Sequence, residues 1–221
     1  LDGTTGGIEL AEKATVTAVK KALEHSPKRN FVQTVDLSIN LKDVDMSIPK
    51  NRIQEDIILP HGRGKPIKVC VFGSGEMLLK AKDVADRVVS VEELGTIADD
   101  KKQAKKMANE FEYFIAEAPL MPTIGKRLGI VLGPRGKMPK PIPPGADPKP
   151  MIDNLRKSVS VRSRDRLTFH TAVGTTDMTP EDIAENIELI VKRLGMKLEK
   201  GTMNIRSAFV KTTMGPSEKV I

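Results

Sequence analysis

The chain has 221 residues and a net charge of +7, with 36 Lys and Arg against 29 Asp and Glu. That length accommodates one large domain or two small ones, and the basic balance favours a polyanionic partner. Aromatic residues make up only 3% and there is no Trp, which argues against a nucleic-acid reader that stacks bases on aromatic platforms. No apolar run approaches the ~20 residues of a membrane span, and no signal-peptide pattern opens the chain.

In chain order, residues 8–24 read as a helix, with Ala11, Ala14, Thr15, Ala18, Val19, Ala22 and Leu23 at helical spacing and Pro27 beyond its end. Residues 31–41 form the clearest strand: Val35, Leu37, Ile39 and Leu41 alternate with Thr34, Asp36, Ser38 and Asn40, so one face is buried and the other polar. Residues 52–59 suggest another strand. Pro60-His-Gly-Arg-Gly-Lys-Pro66 then reads as a linker.

After the linker the pattern changes. Strands at 67–72, 87–89 and 113–116 alternate with helices at 76–85, 99–112 and 120–128, as in a small α/β sandwich on a parallel sheet. Cys70, the only cysteine, sits in the first of these strands. It has no disulfide partner, which fits a reducing cytosol, and it reads as a buried strand residue rather than a catalytic thiol. Residues 132–150 are a loop dense in Gly, Pro and Lys, and 149–157 a short helix.

From residue 158 the alternation of half-buried strands returns. Strands at 158–164 and 167–173 flank a turn at Asp165-Arg166. Thr179-Pro-Glu-Asp182 starts a helix striped by Ile183, Ile187, Ile190, Val191 and Leu194, with Gly195 placed to stop it. The last strand runs through Arg206-Ser-Ala-Phe-Val-Lys-Thr-Thr-Met-Gly-Pro216. Ser207, Phe209, Lys211 and Thr213 share a face too polar to be all core, and Pro216 should end the ladder. Neither terminal part has strands and helices enough for its own core. Residues 1–61 and 158–221 together make a discontinuous, open-faced α+β sandwich: a four-stranded antiparallel sheet with two helices on one face. Residues 62–157 are an inserted α/β domain.

Signals for catalysis are poor. His25, His61 and His170 are scattered without metal spacing, and no serine has a nucleophile-elbow setting, so no cofactor or metal is expected. Gly73-Ser-Gly75 follows a strand and precedes a helix, as a phosphate cradle would. The fingerprint's third glycine falls at Leu78 and is missing, which makes a nucleotide-dependent enzyme the alternative rather than the main reading. The stretch 133–141 presents Arg135, Lys137 and Lys140 either to grip phosphates or as a structural loop. Charge is uneven: residues 1–61 carry 8 Lys and Arg against 9 Asp and Glu, residues 158–221 carry 10 against 8, and the middle 18 against 12. The sum favours the insert as the polyanion site, while Lys28, Arg29, Arg162, Arg164, Arg166, Arg206 and Lys211 can form a local rim on the composite domain.

Five separated motifs, in order, resemble the L-one family of large-subunit ribosomal proteins in its archaeal form. They are Asn30-Phe-Val-Gln-Thr-Val-Asp36, Leu59-Pro-His-Gly-Arg-Gly-Lys65, Leu132-Gly-Pro-Arg-Gly-Lys-Met-Pro139, His170-Thr-Ala-Val-Gly174 and Thr212-Thr-Met-Gly-Pro216. The resemblance implies a split first domain and an inserted, Rossmann-like second one. It also implies a cytoplasmic, ribosome-bound protein without enzymatic activity, monomeric when free. Its expected partners are the large-subunit RNA stalk beside the exit site, deacylated transfer RNA leaving there, and the leader of its own messenger RNA, whose translation it represses. Carried over by motif, the RNA-binding residues are Phe31, Thr34, Asp36, Ser207, Thr213, Met214 and Gly215, with Arg162, His170 and Lys211 beside them. Strand parity sets Phe31 opposite Thr34 and Asp36, so it must reach RNA from the strand's beginning. Asn30 stands where some relatives have a lysine.

Overall fold

The structure, a computed structural model, describes the backbone of residues 5–221 and the side chains of residues 14–221. In chain order the elements are α1 (Thr5–Glu24), β1 (Thr34–Leu41), β2 (Gln54–Ile58), β3 (Val69–Phe72), α2 (Gly75–Lys82), β4 (Arg87–Val89), α3 (Val91–Asp99), α4 (Lys101–Glu110) and β5 (Tyr113–Glu117). They continue with α5 (Met121–Leu132), β6 (Lys140–Ile142), α6 (Lys149–Arg156), β7 (Ser158–Arg162), β8 (Thr168–Thr175), α7 (Pro180–Lys197), β9 (Ile205–Thr212) and β10 (Ser217–Lys219). The chain divides into two compact units, residues 1–65 with 157–221, and residues 66–156. The α+β and α/β classes inferred from the pattern are both present.

In the first unit, four antiparallel strands lie in the order β10-β9-β1-β8. The alternation of β1 decides what its faces do: Val35, Leu37 and Ile39 are fully buried, while the intervening Thr34, Asp36, Ser38 and Asn40 remain half-buried. Each buried aliphatic side chain contributes about 1.5–3 kcal/mol relative to exposure, and slipping the register by one residue would turn all of them to solvent. The buried face packs on α1 and α7 through Ala18, Val19, Ala22, Ile183, Ile187 and Ile190. Ala11, at the head of the expected α1 stripe, lies outside the residues whose side chains are described. The N-terminus of α7 is built as its sequence indicates: Thr179 Oγ1 accepts from the Asp182 N–H, and Pro180 occupies the first helical position.

Several expectations for this unit need correction. The strands at 158–164 and 167–173 do not form a hairpin. β7 pairs with β2 as a separate two-stranded ribbon, and β8 pairs with β1. Between them Arg164 adopts φ +50 and the Arg166 N–H donates to Ser163 O, so the chain leaves the ribbon before β8 begins. Pro216 does not end the ladder. It precedes β10, an edge strand pairing with β9 from Ser217 onward, and a proline just before a strand withholds no needed donor. Helix α7 runs through Gly195 to Lys197, because a lone glycine costs only about 1 kcal/mol inside a helix.

The unit boundaries also differ from 61/62 and 157/158. Segment 60–65 is tied to the first unit by Asn186, a fully buried amide whose Nδ2 donates to both Gly62 O (3.0 Å) and Val173 O (2.9 Å). His61 bonds Glu185 at 2.7 Å and Asp182 at 3.3 Å, and those partners, Glu185 first, raise its pKa. Gly64 sits at φ +71, where an added Cβ would lie 2.3 Å from Thr175 Oγ1. Lys157 joins through the bond from the Leu59 N–H to its carbonyl.

The second unit is a parallel sheet of order β4-β3-β5-β6. All residues of β3 and β5 are buried, as expected for strands covered on both faces. One face carries α3, α4 and α5 over Phe72 and Phe114, and the other carries α2 and α6 over Val71 and Ile115. Two elements have no counterpart among the sequence-based expectations. Helix α3 starts at a Ser90 cap accepting from the Glu93 N–H, and edge strand β6 lies inside the expected loop 132–150.

Candidate nucleic-acid interface

The uncovered face of the first unit's sheet carries the half-buried residues of β1 and, in register with them, those of β8 and β9. Asp36 lies opposite Lys211 and Ser38 opposite Phe209 on one side, with His170 across from Ser38 on the other. Asp36, Ser38, His170, Phe209, Lys211, Thr213 and Ser217 line a shared depression. Residues 130 positions apart and more in sequence are thus brought onto one surface.

At one end of this face the chain turns between β9 and β10. The Thr213 N–H donates to Thr34 O at 3.0 Å, and Thr213 Oγ1 accepts from the Thr34 N–H at 3.1 Å and donates back to Thr34 O at 3.3 Å. The corner is held from beneath by Gln33, which is 4% exposed. Its Oε1 accepts from the Met214 N–H at 3.0 Å, while its Nε2 donates to Ser26 Oγ (3.0 Å) and Pro27 O (2.8 Å). Thr212 Oγ1 bonds Ser26 Oγ at 2.8 Å and accepts from the Gly215 N–H at 3.0 Å. A Cβ on Gly215 would stand 2.3 Å from that Thr212 oxygen. Gly215 is therefore required by the corner's own packing, in addition to any approach of a ligand. Met214, in this corner, is 52% exposed, and Phe31, two residues before Gln33, is 54% exposed.

Phe31 resolves its own parity problem. The strand begins at Thr34 rather than at residue 31, so alternation does not govern Phe31 at all. His170 and Lys211 are on the open face. Arg162 is not: it lies on the β2–β7 ribbon, where its Nε donates to Ser160 Oγ at 3.0 Å. Ser207 lies at the far end of the face from the corner, opposite Asn40.

Electrostatics adds residues that the linker reading of 60–66 passed over. Lys65 Nζ donates to Thr34 Oγ1, and Lys65 and Arg63, with His170 and Lys211, set a positive field around Asp36. Partial burial nevertheless dominates and raises the Asp36 pKa, the four basic groups opposing it. With Arg63, Lys65 and Lys157 counted where the structure puts them, the first unit has 21 Lys and Arg against 17 Asp and Glu, and the second 15 against 12. The apparent concentration of charge in the insert came from the boundary chosen. Gln33 and Asn186 were also missed; each is a buried amide next to a glycine-bearing turn, a pattern that becomes informative only once burial is known.

The rival sites on the second unit are internally satisfied. At the Gly73–Gly75 turn, Ser74 Oγ donates to the buried Glu117 Oε2 at 2.7 Å, so the hydroxyl a phosphate would need is already taken up by an acceptor. In the loop 133–141, Lys137 Nζ donates to Ala108 O and Phe111 O, both at 2.9 Å, closing the C-terminal end of α4, and burial lowers its pKa. Arg135 donates to Val131 O at 3.3 Å, and the Lys140 ammonium lies 5.6 Å from the Tyr113 ring centre. These contacts favour the structural reading of the loop. Cys70 is fully buried and its thiol is pushed up to about 12, so it is no nucleophile at neutral pH.

A split α+β unit, an inserted parallel-sheet unit and a Thr-Thr-Met-Gly-Pro corner seated on an early strand agree with comparison to known proteins. The family model for ribosomal protein L1p/L10e matches residues 21–216. Large ribosomal subunit protein uL1 of Methanocella arvoryzae is 60% identical over 213 residues, covering 96% of this chain and all of that protein. The uL1 of Thermoplasma acidophilum is 55% identical over 92% of this chain and 94% of its own length, and that of Archaeoglobus fulgidus 52% over 93% and 96%. With the match running through both units and three archaeal relatives aligned almost end to end, the chain belongs to the ribosomal protein L1p/L10e family.

Proposed function

We propose that this protein is a non-enzymatic constituent of the large ribosomal subunit that binds ribosomal RNA at the mobile stalk near the transfer-RNA exit site. There it assists release of deacylated transfer RNA, and it represses translation by binding a similar structure in its own messenger RNA. It acts in the cytoplasm, as a monomer when off the ribosome. The reader is the first unit, residues 1–65 with 157–221, through Phe31, Thr34, Asp36, His170, Ser207, Lys211, Thr213, Met214 and Gly215. Arg162 contributes at most a phosphate contact from the ribbon.

The observation that carries this reading is the Thr34–Thr213 junction, which joins segments 179 residues apart into one rigid, hydroxyl-bearing edge beside Lys65. Hydroxyls and backbone groups fixed at hydrogen-bonding distance suit ribose 2′-OH groups, the feature that separates RNA from DNA. Arg63, Lys65 and Lys211 supply phosphate attraction, while Asp36 can accept from a base amino group or a 2′-OH and so adds selectivity. The test is a filter-binding titration at fixed salt with a large-subunit stalk RNA fragment. Tight binding that excess duplex DNA leaves intact and the messenger leader competes away is expected. Equal competition by DNA would overturn it.

A further inference from the structure

The open face of the first unit is not uniform along its length. At its two ends the cross-strand rows are closed by hydrogen bonds within the protein: Thr34 with Thr213 at the corner, and Asn40 with both Thr168 and Ser207 at the other end. The row at Ser38 is built differently. Ser38 of β1 lies between His170 of β8 and Phe209 of β9 in the strand register, so a small side chain is flanked by two flat rings. The backbones carrying those rings stand about 10 Å apart, two strand spacings. Ser38, His170 and Phe209 line the depression of the open face together with Asp36 and Lys211, the next cross-strand pair along β1 and β9. Among Ser207, Phe209 and Lys211, the half-buried residues of β9, only Phe209 is apolar, and its ring is left partly in water on a polar face.

We propose that this row is a slot for a single unpaired base of the bound RNA, guanine in preference to the others, which enters over Ser38 between the Phe209 and His170 rings and turns its donor edge to Asp36. The proposal rests on the RNA-binding reading given above and adds Phe209 to its contact residues. Every base has an apolar π-face, and unpaired bases are taken up by stacking on rings such as those of Phe and His. Serine leaves the gap open, where a larger side chain would fill it. A plane standing between the side chains of β8 and β9 runs along β1, so its edge meets the next residue on the same face, Asp36. As a carboxylate Asp36 only accepts. Guanine alone offers two adjacent donors on its Watson–Crick edge, N1–H and the 2-amino group. Adenine, cytosine and uracil each set an acceptor beside their donor, which would face the carboxylate unpaired. Lys211, opposite Asp36, is placed for the phosphate of the same nucleotide. A slot for one base also agrees with a chain in which aromatic residues are only 3%.

The experiment is filter binding of the full-length chain to the stalk RNA fragment, with each unpaired guanine in turn replaced by an abasic residue. One replacement should cost the wild type about tenfold in affinity and Phe209→Ala about twofold at most, because the ring that stacks on that base is already gone. Equal losses in the two proteins at every position overturn the slot, since a merely structural Phe209 would weaken all the RNAs alike. Phe209→Leu fills much of the same space without a π-face. It should behave as Phe209→Ala does, and it serves in its place where the smaller residue does not fold. Phe209→Tyr keeps the ring and should bind within about twofold of wild type; a loss as large as that of Phe209→Ala overturns stacking. At the position found, adenine in place of guanine should cost about tenfold in wild type and about twofold at most in Asp36→Asn, whose amide both donates and accepts. An undiminished preference for guanine in Asp36→Asn overturns the part given to Asp36. Failure of the underlying reading looks different: the wild type would then bind the stalk RNA no better than duplex DNA, whereas tight RNA binding with no coupled base strikes the slot alone.

Discussion

The two units each carry a feature that looks ligand-ready, and they differ in whether the protein has already used it. On the second unit the Gly73–Gly75 turn is met by the Glu117 carboxylate, and Lys137 of the basic loop is spent on the carbonyls at the end of α4. On the first unit the hydroxyls and basic groups of the open face bond one another across strands but stay accessible, with Lys211, Ser38 and Phe209 half-buried over a covered core. Glycine-rich turns and lysine counts therefore do not mark a site by themselves. A site is marked by polar groups whose hydrogen-bonding capacity is left over after the fold has been satisfied.

The comparison can be broken most sharply at Gly215. Gly215→Ala places a Cβ against Thr212 Oγ1 and should destabilise the first unit by about 2–3 kcal/mol through overpacking, measured by urea unfolding, with RNA binding lost alongside. Gln33→Leu removes the acceptor beneath the Met214 N–H. It should cost about 1–3 kcal/mol of stability, and a large part of RNA affinity because the corner loosens. Thr213→Val should weaken RNA binding by roughly 1–3 kcal/mol in filter binding, since it removes the hydroxyl that bridges to Thr34 at the proposed contact; unchanged affinity would remove the corner from the proposed interface. Lys137→Met tests the opposite side of the comparison. It should lower thermal stability by about 1–2 kcal/mol and leave RNA affinity unaltered, whereas a specific loss of affinity would return the loop to candidacy.

The smallest effect concerns pH. The folded-state pKa of Asp36 lies above its unfolded value of 3.8, so the native chain binds its proton more readily than the unfolded chain does. Stability should therefore fall as pH rises between those two values and stay lower above them. Asp36→Asn should remove that slope and leave the free protein slightly more stable at neutral pH, read from urea midpoints across an acid pH series. A slope unchanged in the variant would assign it to another carboxylate.

Much of this architecture is legible in the chain. The period-two alternation of β1, the apolar continuity of β3 and β5, and the Thr179 cap each express a local rule that burial reinforces. The misreadings occur where local rules compete with distant contacts. β7 and β8 look like a hairpin, yet each finds a better-covered partner elsewhere, and Pro216 looks like a terminator although it only precedes an edge strand. Segment 60–65 has a linker's composition, but Asn186, 124 residues from Gly62, holds it in the first unit, where Arg63 and Lys65 act on Asp36.

By itself the sequence determined the two fold classes, the split organisation and which strand faces are polar, because these follow from periodicities of two and 3.6 residues that every stable arrangement must bury. Only the tertiary structure decided which polar groups remain available. Whether a lysine caps a helix or stays available at the surface depends on partners distant in the chain whose separations in space no local pattern encodes. Hydrogen-bond satisfaction is a property of the assembled surface, and the candidate site is what remained once that accounting was complete.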